Sequence, residues 1–222
     1  LRMVKIERTP LPPASLAIEC KKAHGSYCEE DVMLQLQKDF HDKCYICELK
    51  PLMNVEVEHL RPHHNRKIKE RVFDWSNLFY ACPHCNSVKT AAKYDDKIID
   101  CCTVDPEVLL RQSFVDGEVD VYPIERNAGE NVRMTADLIQ SCFAKSNTGI
   151  RTIQCAARVK ALAKTMNSLY KTLQQFKAHK DSPKYRFALR AMLKREYAFA
   201  AFTRDYVRSH AKDYPELQEY LS

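Results

Sequence analysis

The sequence predicts an α+β protein that is mostly helical, with a small zinc-stabilised core ahead of a helical C-terminal region. Two Cys-x-x-Cys pairs predict the core: Cys44 with Cys47, and Cys82 with Cys85. Four thiolates at this spacing can surround one tetrahedral ion, and zinc suits that ligand set best. The alternative is a redox dithiol or four unrelated core cysteines. An apolar stripe at spacings of three and four residues, between residues 162 and 176, predicts the helical region.

These patterns divide the chain into four segments. They are an N-terminal arm and helix (1–40), the zinc core (41–95), a linker with a hairpin (96–130) and a basic helical region (131–222). The prolines from Pro10 to Pro13 favour an extended arm, and residues 31–40 favour a helix that leads to the first cysteine pair. Alternating residues from Val108 to Ile124 flank Asp116-Gly117, a two-residue turn sequence, and therefore predict a hairpin.

The segment between the cysteine pairs is longer than in a simple zinc ribbon. Residues 48–81 intervene, whereas ribbons commonly have roughly 15–20 residues there. Alternation from Val55 to Pro62 predicts a short strand that carries His59 to its end. A second strand follows residues 73–78, and the chain turns helical near Cys82. The predicted order is strand, loop, strand, helix.

The C-terminal segment combines helical periodicity with strong positive charge. A helix is predicted over residues 131–143 and another through the stripe at 162–176. After a turn at 181–183, a second long helix is predicted from Tyr185 to Tyr206. Residues 145–212 contain 16 Lys+Arg and 3 Asp+Glu, while the net charge of the whole chain is only +6. This hairpin of helices can grip a phosphate backbone, dock an acidic partner, or be a solvated helix pair without a ligand.

The core residues resemble the HNH endonuclease family, whose fold is called ββα-metal. The resemblance rests on Glu58-His59 at the strand end, Asn77 in the loop and Asn86 on the helix, in that order inside the zinc frame. It covers about fifty residues. It implies a metal-dependent endonuclease that hydrolyses phosphodiester bonds, with DNA as the favoured substrate and RNA as the alternative.

The resemblance also implies a role for each residue. His59 would be the general base, and Glu58 with Asn86 would hold a catalytic Mg²⁺ or Mn²⁺ through hard oxygen ligands. Asn77 would fix the loop and orient His59, and Lys89 on the helix would meet a phosphate. Taken singly, the Glu-His pair is also typical of solvent-exposed strand ends, and Asn77 of turns or caps.

Two positions depart from the commonest family pattern. Glu58 stands where Asp is usual, which can shift the metal, and Asn86 stands where His is usual, which lowers metal affinity. His63, His64 and His84 lie nearby in sequence, but we interpret them as facing solvent or phosphate rather than as ligands.

The whole chain further resembles the small HNH nuclease of Septu-type and retron-associated anti-phage systems. The resemblance adds the opening Val4-Lys5-Ile6-Glu7-Arg8, followed by Pro12-Pro13, and the helical tail. It implies an ABC/SMC-like ATPase as partner, docked by the C-terminal helices. A stand-alone restriction or mobile-element nuclease and a non-catalytic zinc module that binds nucleic acid or a partner remain the alternatives.

Composition excludes several other classes. With 4 glycines and no P-loop, the chain is not expected to be an ATPase of that type. It has neither an apolar run near eighteen residues nor an apolar signal region, so we expect a soluble cytoplasmic protein without a membrane partner. The six cysteines outside the two pairs show no disulfide framework, which favours reduced thiols.

Overall fold

The architecture is α+β, with seven α-helices and two small antiparallel sheets in the described part of the chain. The computed structural model describes residues 3–144, 149–179 and 182–221. Asp181 of the predicted turn, and residues 145–148 and 180 of the basic segment, therefore lie outside the described residues. The elements are α1 (Ala14–Glu19), α2 (Glu30–Asp39), β1 (Glu56–His59), β2 (Leu78–Ala81), α3 (Pro83–Lys89), β3 (Leu110–Val115), β4 (Glu118–Pro123), α4 (Glu130–Phe143), α5 (Ile150–Ala178), α6 (Pro183–Met192) and α7 (Ala200–Ser209).

The first sheet pairs β1 with β2, and α3 follows β2 directly. The strands are antiparallel, with His59 opposite Leu78 and Glu58 opposite Phe79. All four residues of β2 are buried, whereas β1 is exposed at its start and buried at its end. The predicted order of strand, loop, strand and helix is confirmed, and β1 ends at His59 as expected.

The second sheet is the predicted hairpin of β3 and β4. Val115 pairs with Glu118, so Asp116 and Gly117 alone form the turn. Both have positive φ, 52° and 81°, as the tight turns that match strand twist require. Glycine accepts this backbone without strain, and aspartate is one of the few other residues that does.

The helices predicted before β1 and after β4 are also present. The helix expected over 31–40 is α2 (Glu30–Asp39), and the one expected over 131–143 is α4 (Glu130–Phe143). The sequence reasoning missed α1, six residues that follow Pro13 directly. The arm ahead of it is not merely extended over the surface, because Met3, Val4 and Ile6 are buried in the core.

The prediction of one helix from Tyr185 to Tyr206 is wrong. The structure has two helices there, α6 and α7, and residues 193–199 separate them. Phe199 takes a left-handed backbone conformation with φ of 53°, which no α-helix can continue through.

A buried ion pair from the N-terminal half explains the break. Lys43 and Glu48 lie 2.9 Å apart with side chains 2% exposed. The Lys43 ammonium donates to the carbonyl oxygens of Arg195 and Tyr197, and the Glu48 carbonyl accepts from the Phe199 amide. Each of these bonds uses backbone groups at the break, so tertiary contacts outweigh local helix propensity.

Candidate functional site

Four cysteine sulfurs converge on one point, as the sequence predicted. The Sγ atoms of Cys44, Cys47, Cys82 and Cys85 all lie within 4.8 Å of one another, and all four residues are buried. A tetrahedral zinc ion with Zn–S bonds of about 2.3 Å needs sulfurs about 3.8 Å apart. The Cys47 and Cys82 sulfurs are 4.0 Å apart. The cluster could therefore hold a structural metal such as zinc.

The cysteines are placed by elements that also carry the neighbouring cleft. The first pair lies in a turn after α2, and this turn is tied to β2 by a bond from the Tyr45 amide to the Tyr80 carbonyl of 3.0 Å. In the second pair, Cys82 precedes α3 and Cys85 lies in its first turn. A metal at this cluster would fix the joint between β2 and α3.

Arg158 of α5 reaches the cysteine cluster, and the sequence reasoning missed it. Its guanidinium donates to the Cys82 sulfur at 2.9 Å and to the Gln154 carbonyl at 2.9 Å, and the residue is 7% exposed. Burial alone would lower the pKa of Arg158, but the nearby sulfurs outweigh burial and raise it above its usual value. Arg158 thus stays charged beside the thiolates.

The cysteines themselves differ in acidity. Hydrogen bonds from its three partner thiols, together with the Arg158 charge, lower the pKa of Cys82 well below its usual range. Burial raises the pKa of Cys85. A bound cation would convert all four to thiolates, because metal binding displaces thiol protons.

His84 is buried, so its predicted position facing solvent or phosphate is wrong. It is 3% exposed, and its ring nitrogens lie 2.8 Å from the Gln154 amide oxygen and 3.1 Å from the Cys142 carbonyl oxygen. The cause is the contact of α3 with α4, which covers the first turn of α3. All ten cysteines lie among the described residues and none forms a disulfide.

The predicted catalytic residues lie around one cleft of about 560 Å³ beside the cysteine cluster. Its lining includes four of them: Glu58, His59, Asn86 and Lys89. Asn77 is not part of the lining, but lies 4% exposed in the turn immediately before β2. The structure therefore brings four of the five residues to one surface.

A hydrogen bond at one ring nitrogen orients the imidazole of His59. Its Nε2 lies 3.0 Å from the Val72 carbonyl oxygen, which can only accept, so Nε2 carries the proton and Nδ1 is the acceptor. The rings of Tyr27 and His63 pack edge-on against it, with centroids 4.6 and 4.4 Å away. This burial lowers the pKa of His59 to about 4, so the ring is neutral at neutral pH.

Glu58 is a buried carboxylate held from two sides. It accepts a hydrogen bond from the Tyr45 hydroxyl, and the Lys89 ammonium lies 2.7 Å from it. Burial first, and then the Glu58 charge, raise the pKa of Tyr45 well above its usual value, so the hydroxyl remains a donor. The side chains of Glu58 and Lys89 are only 4% and 5% exposed.

Lys89 lies in the cleft but does not extend toward solvent. Besides Glu58, its ammonium donates to the carbonyl oxygens of His59 and Leu60 at 3.0 and 2.9 Å. These bonds fix the end of β1 against α3. In this arrangement the lysine orients the Glu58-His59 dipeptide.

Asn86 offers the second oxygen for a cation. Its amide nitrogen donates to Glu56 at 2.7 Å, so the amide oxygen is the atom that would bind a cation. A carboxylate keeps up to four acceptor positions, so Glu58 retains some beyond those used by Tyr45 and Lys89. Carboxylate and amide oxygens are ligands that suit Mg²⁺ or Mn²⁺. The positive charge of Lys89 would repel such a cation and weaken its binding.

Asn77 links the two ends of the loop between β1 and β2. Its side-chain oxygen accepts from the Arg61 amide at 2.8 Å, and its nitrogen donates to the carbonyl oxygens of Arg61 and Arg71, both at 3.0 Å. Arg71 immediately precedes Val72, whose carbonyl holds the His59 ring. Asn77 therefore orients His59 through the backbone.

Comparisons with known proteins do not extend the resemblance. No protein-family model matches the chain, and no curated protein matches it. Among the described residues, no helix combines the length and apolar character needed to span a bilayer.

Proposed function

We propose that this chain is a metal-dependent endonuclease of the HNH type, with β1, β2 and α3 as its ββα-metal core and DNA as the favoured substrate. The proposal rests on one observation. The neutral, oriented imidazole of His59 lies in the same cleft as the buried carboxylate of Glu58 and the amide of Asn86, beside a cluster of four cysteines. A binding module without catalysis has no need for a general base beside two cation ligands.

His59 acts as the general base in this proposal. Its Nδ1 takes a proton from the attacking water, and the Val72 carbonyl holds the ring through Nε2 and stabilises the positive charge that forms. Asn77 donates to the carbonyl of Arg71, the residue before Val72, and so positions the Val72 carbonyl through the backbone. The Tyr27 and His63 rings exclude bulk water from the sides of the imidazole.

Glu58 and Asn86 are the residues that would hold the divalent cation. A Mg²⁺ or Mn²⁺ bound there would neutralise charge on the phosphate and assist departure of the leaving oxygen. Tyr45 and Lys89 hold the Glu58 carboxylate in a fixed orientation. The four cysteines with zinc would support this site and take no part in the chemistry.

Cleavage of supercoiled plasmid, single-stranded DNA and tRNA by the purified chain tests the proposal. Mg²⁺ should be omitted rather than chelated, because a chelator also extracts zinc. His59→Ala should lose about 100- to 10,000-fold in rate, the usual contribution of a general base. His179→Ala changes an exposed histidine at the end of α5 and is the matched control.

The outcomes separate the candidate functions. Mg²⁺-dependent cutting that His59→Ala abolishes supports the nuclease and identifies its substrate. A folded, zinc-containing protein that cuts none of the three substrates favours the non-catalytic module instead.

We also propose an ABC/SMC-like ATPase as the partner in anti-phage defence, docked on an exposed lysine face of α5. Lys160, Lys164 and Lys171 line one shallow surface of this helix. Deleting the C-terminal region would not test docking, because Arg158 and Arg204 of that region are buried in the core.

Charge reversal of the three lysines is the sharper experiment. It should abolish co-purification with an ATPase encoded beside the nuclease, while leaving the fold intact. The matched control reverses three exposed lysines elsewhere: Lys21, Lys38 and Lys212. Unchanged co-purification in the α5 variant contradicts this docking surface, and cleavage without any ATPase favours the stand-alone nuclease.

A further inference from the structure

A second cavity lies between β3, α5 and α7 and shares no lining residue with the cleft at His59. Its volume is about 350 Å³, within the range of small-ligand pockets. Residues of the turn end of β3 line one side, and aromatic side chains of α5 and α7 line the other. The Tyr170 hydroxyl donates to the Phe114 carbonyl at 3.3 Å, which joins the two sides.

Gln112 of β3 is the notable lining residue. It is 1% exposed, and neither its side-chain oxygen nor its side-chain nitrogen has a hydrogen-bond partner among the residues that the structure describes. A buried amide in this state lowers stability unless a ligand or water supplies the partners. Its acceptor and donor lie side by side, so one planar group can satisfy both.

The rings of Tyr170, Tyr206 and His210 form the aromatic side of the cavity. Tyr206 and His210 are stacked, with ring centroids 4.2 Å apart, and Tyr170 lies 4.8 Å from Tyr206. Stacking on such rings is favourable for every nucleobase, because each has a π-face.

The charges indicate which part of a ligand lies inside. Asp205 is 3% exposed, and its carboxylate accepts from the Gln112 backbone amide at 3.3 Å, so a ligand group inside meets a buried carboxylate whose charge Arg111 balances only from the rim. The Arg111 side chain contacts Asp205 and Ser209 but remains 32% exposed. A neutral planar group fits inside, and a phosphate fits at the rim beside Arg111.

We infer that this cavity binds a nucleobase, stacked on the aromatic side and held by the Gln112 amide, with adenine as the best complement. Glutamine pairs with adenine through one donor and one acceptor. Because both amide atoms are covered, binding requires a rotamer change that brings them to the cavity surface. The inference does not depend on the nuclease proposal. The base can come from a free nucleotide or from an unstacked position of a single strand.

Isothermal titration of the full chain without Mg²⁺ tests the inference. The ligands are AMP, GMP, CMP and UMP, then a single-stranded oligonucleotide with one adenine among pyrimidines, and glucose as a neutral comparison. AMP is expected to bind with a Kd below about 1 mM and more tightly than the other nucleotides. If the source is a strand, the oligonucleotide binds and AMP does not.

Gln112→Leu provides the decisive variant, because it removes the unpartnered amide and keeps the size of the side chain. Its unfolding midpoint should be no lower than that of the wild type. Its affinity for the base should fall about tenfold or more, the usual effect of losing a paired amide contact. Gln140→Leu, on α4 and outside the cavity, is the matched control and should bind as the wild type does.

Either source of the base supports the inference when binding depends on Gln112. Binding of no nucleotide and no oligonucleotide, binding of glucose alone, or equal affinity in Gln112→Leu would overturn it.

Discussion

Replacing Arg158 with methionine removes the only cation that contacts the cysteine cluster in the described part of the chain. Methionine keeps an unbranched stem of similar length, so the change mainly deletes charge and hydrogen bonds. Four thiolates around a divalent ion carry a formal charge of about −2, which Arg158 partly offsets. The donor lies 2.9 Å from the Cys82 sulfur in a buried setting.

Two separate estimates give the size of the effect. A hydrogen bond to a charged group contributes about 1.5–3 kcal/mol. Loss of a residue that supports a metal ligand typically weakens metal affinity 10- to 100-fold, or about 1.4–2.7 kcal/mol. Since these ranges overlap, we expect zinc affinity to fall by one to two orders of magnitude in Arg158→Met.

Competition with a chromophoric zinc chelator measures this change directly. Arg133→Met is the matched control, because Arg133 contacts the Ala128 carbonyl at the start of α4 and not the cysteines. Wild-type zinc affinity in Arg158→Met would contradict a stabilising role of Arg158 at the bound ion. It would mean that the cluster does not need the α5 charge.

Three further variants test other parts of the account. Asn77→Ala breaks three hydrogen bonds in the loop that holds His59, so it should lower the free energy of unfolding by about 2 kcal/mol in urea and reduce cleavage. Wild-type cleavage by a folded but destabilised variant would contradict the positioning role. Lys89→Met removes a positive charge 2.7 Å from Glu58 that would repel a bound cation. Mn²⁺ should therefore bind up to about tenfold more tightly, as measured by electron paramagnetic resonance titration. Weaker binding would mean that Lys89 helps to hold the cation. Arg204→Ala breaks a pair of 2.9 Å hydrogen bonds to the buried carboxylate of Glu107 and should cost about 3–5 kcal/mol of stability by denaturant unfolding. A cost below about 1 kcal/mol would show that Arg195 and Arg208, which also contact Glu107, suffice to compensate its charge.

Local signals in the sequence were sufficient for most elements of the fold. The turn at Asp116-Gly117 fixed the register of β3 and β4, since only two residues there favour positive φ. Apolar spacing identified α4 and the middle of α5. The two Cys-x-x-Cys pairs predicted that the four sulfurs lie together, because two pairs of identical spacing in one short region are typical of a metal site.

Long-range contacts could not be predicted in the same way. The break between α6 and α7 depends on Lys43 and Glu48, which lie some 150 residues earlier in the chain. Nothing in the local sequence distinguishes Arg158 from the exposed basic residues of α5. Two arginines of the basic segment, Arg158 and Arg204, are in fact buried and compensate negative groups.

The sequence indicated which residues belong to the candidate site, but not how their side chains contact one another. The resemblance to HNH endonucleases grouped Glu58, His59 and Asn86, but the pairing of Lys89 with Glu58 requires knowledge of how α3 packs on β1. Burial of His59, with the rings of Tyr27 and His63 packed against it, lowers its pKa to about 4, and the sequence alone gave no sign of this shift.

The most direct test of the central claim is the initial rate of nucleic-acid cleavage as Mg²⁺ is increased, for wild type, Glu58→Gln and His59→Ala. No cutting is expected without Mg²⁺. His59→Ala should reach a plateau about 100-fold lower or more with an unchanged Mg²⁺ midpoint, and Glu58→Gln should shift that midpoint upward. Cutting that needs no divalent cation, or wild-type curves in both variants, would contradict the assignment of these two residues.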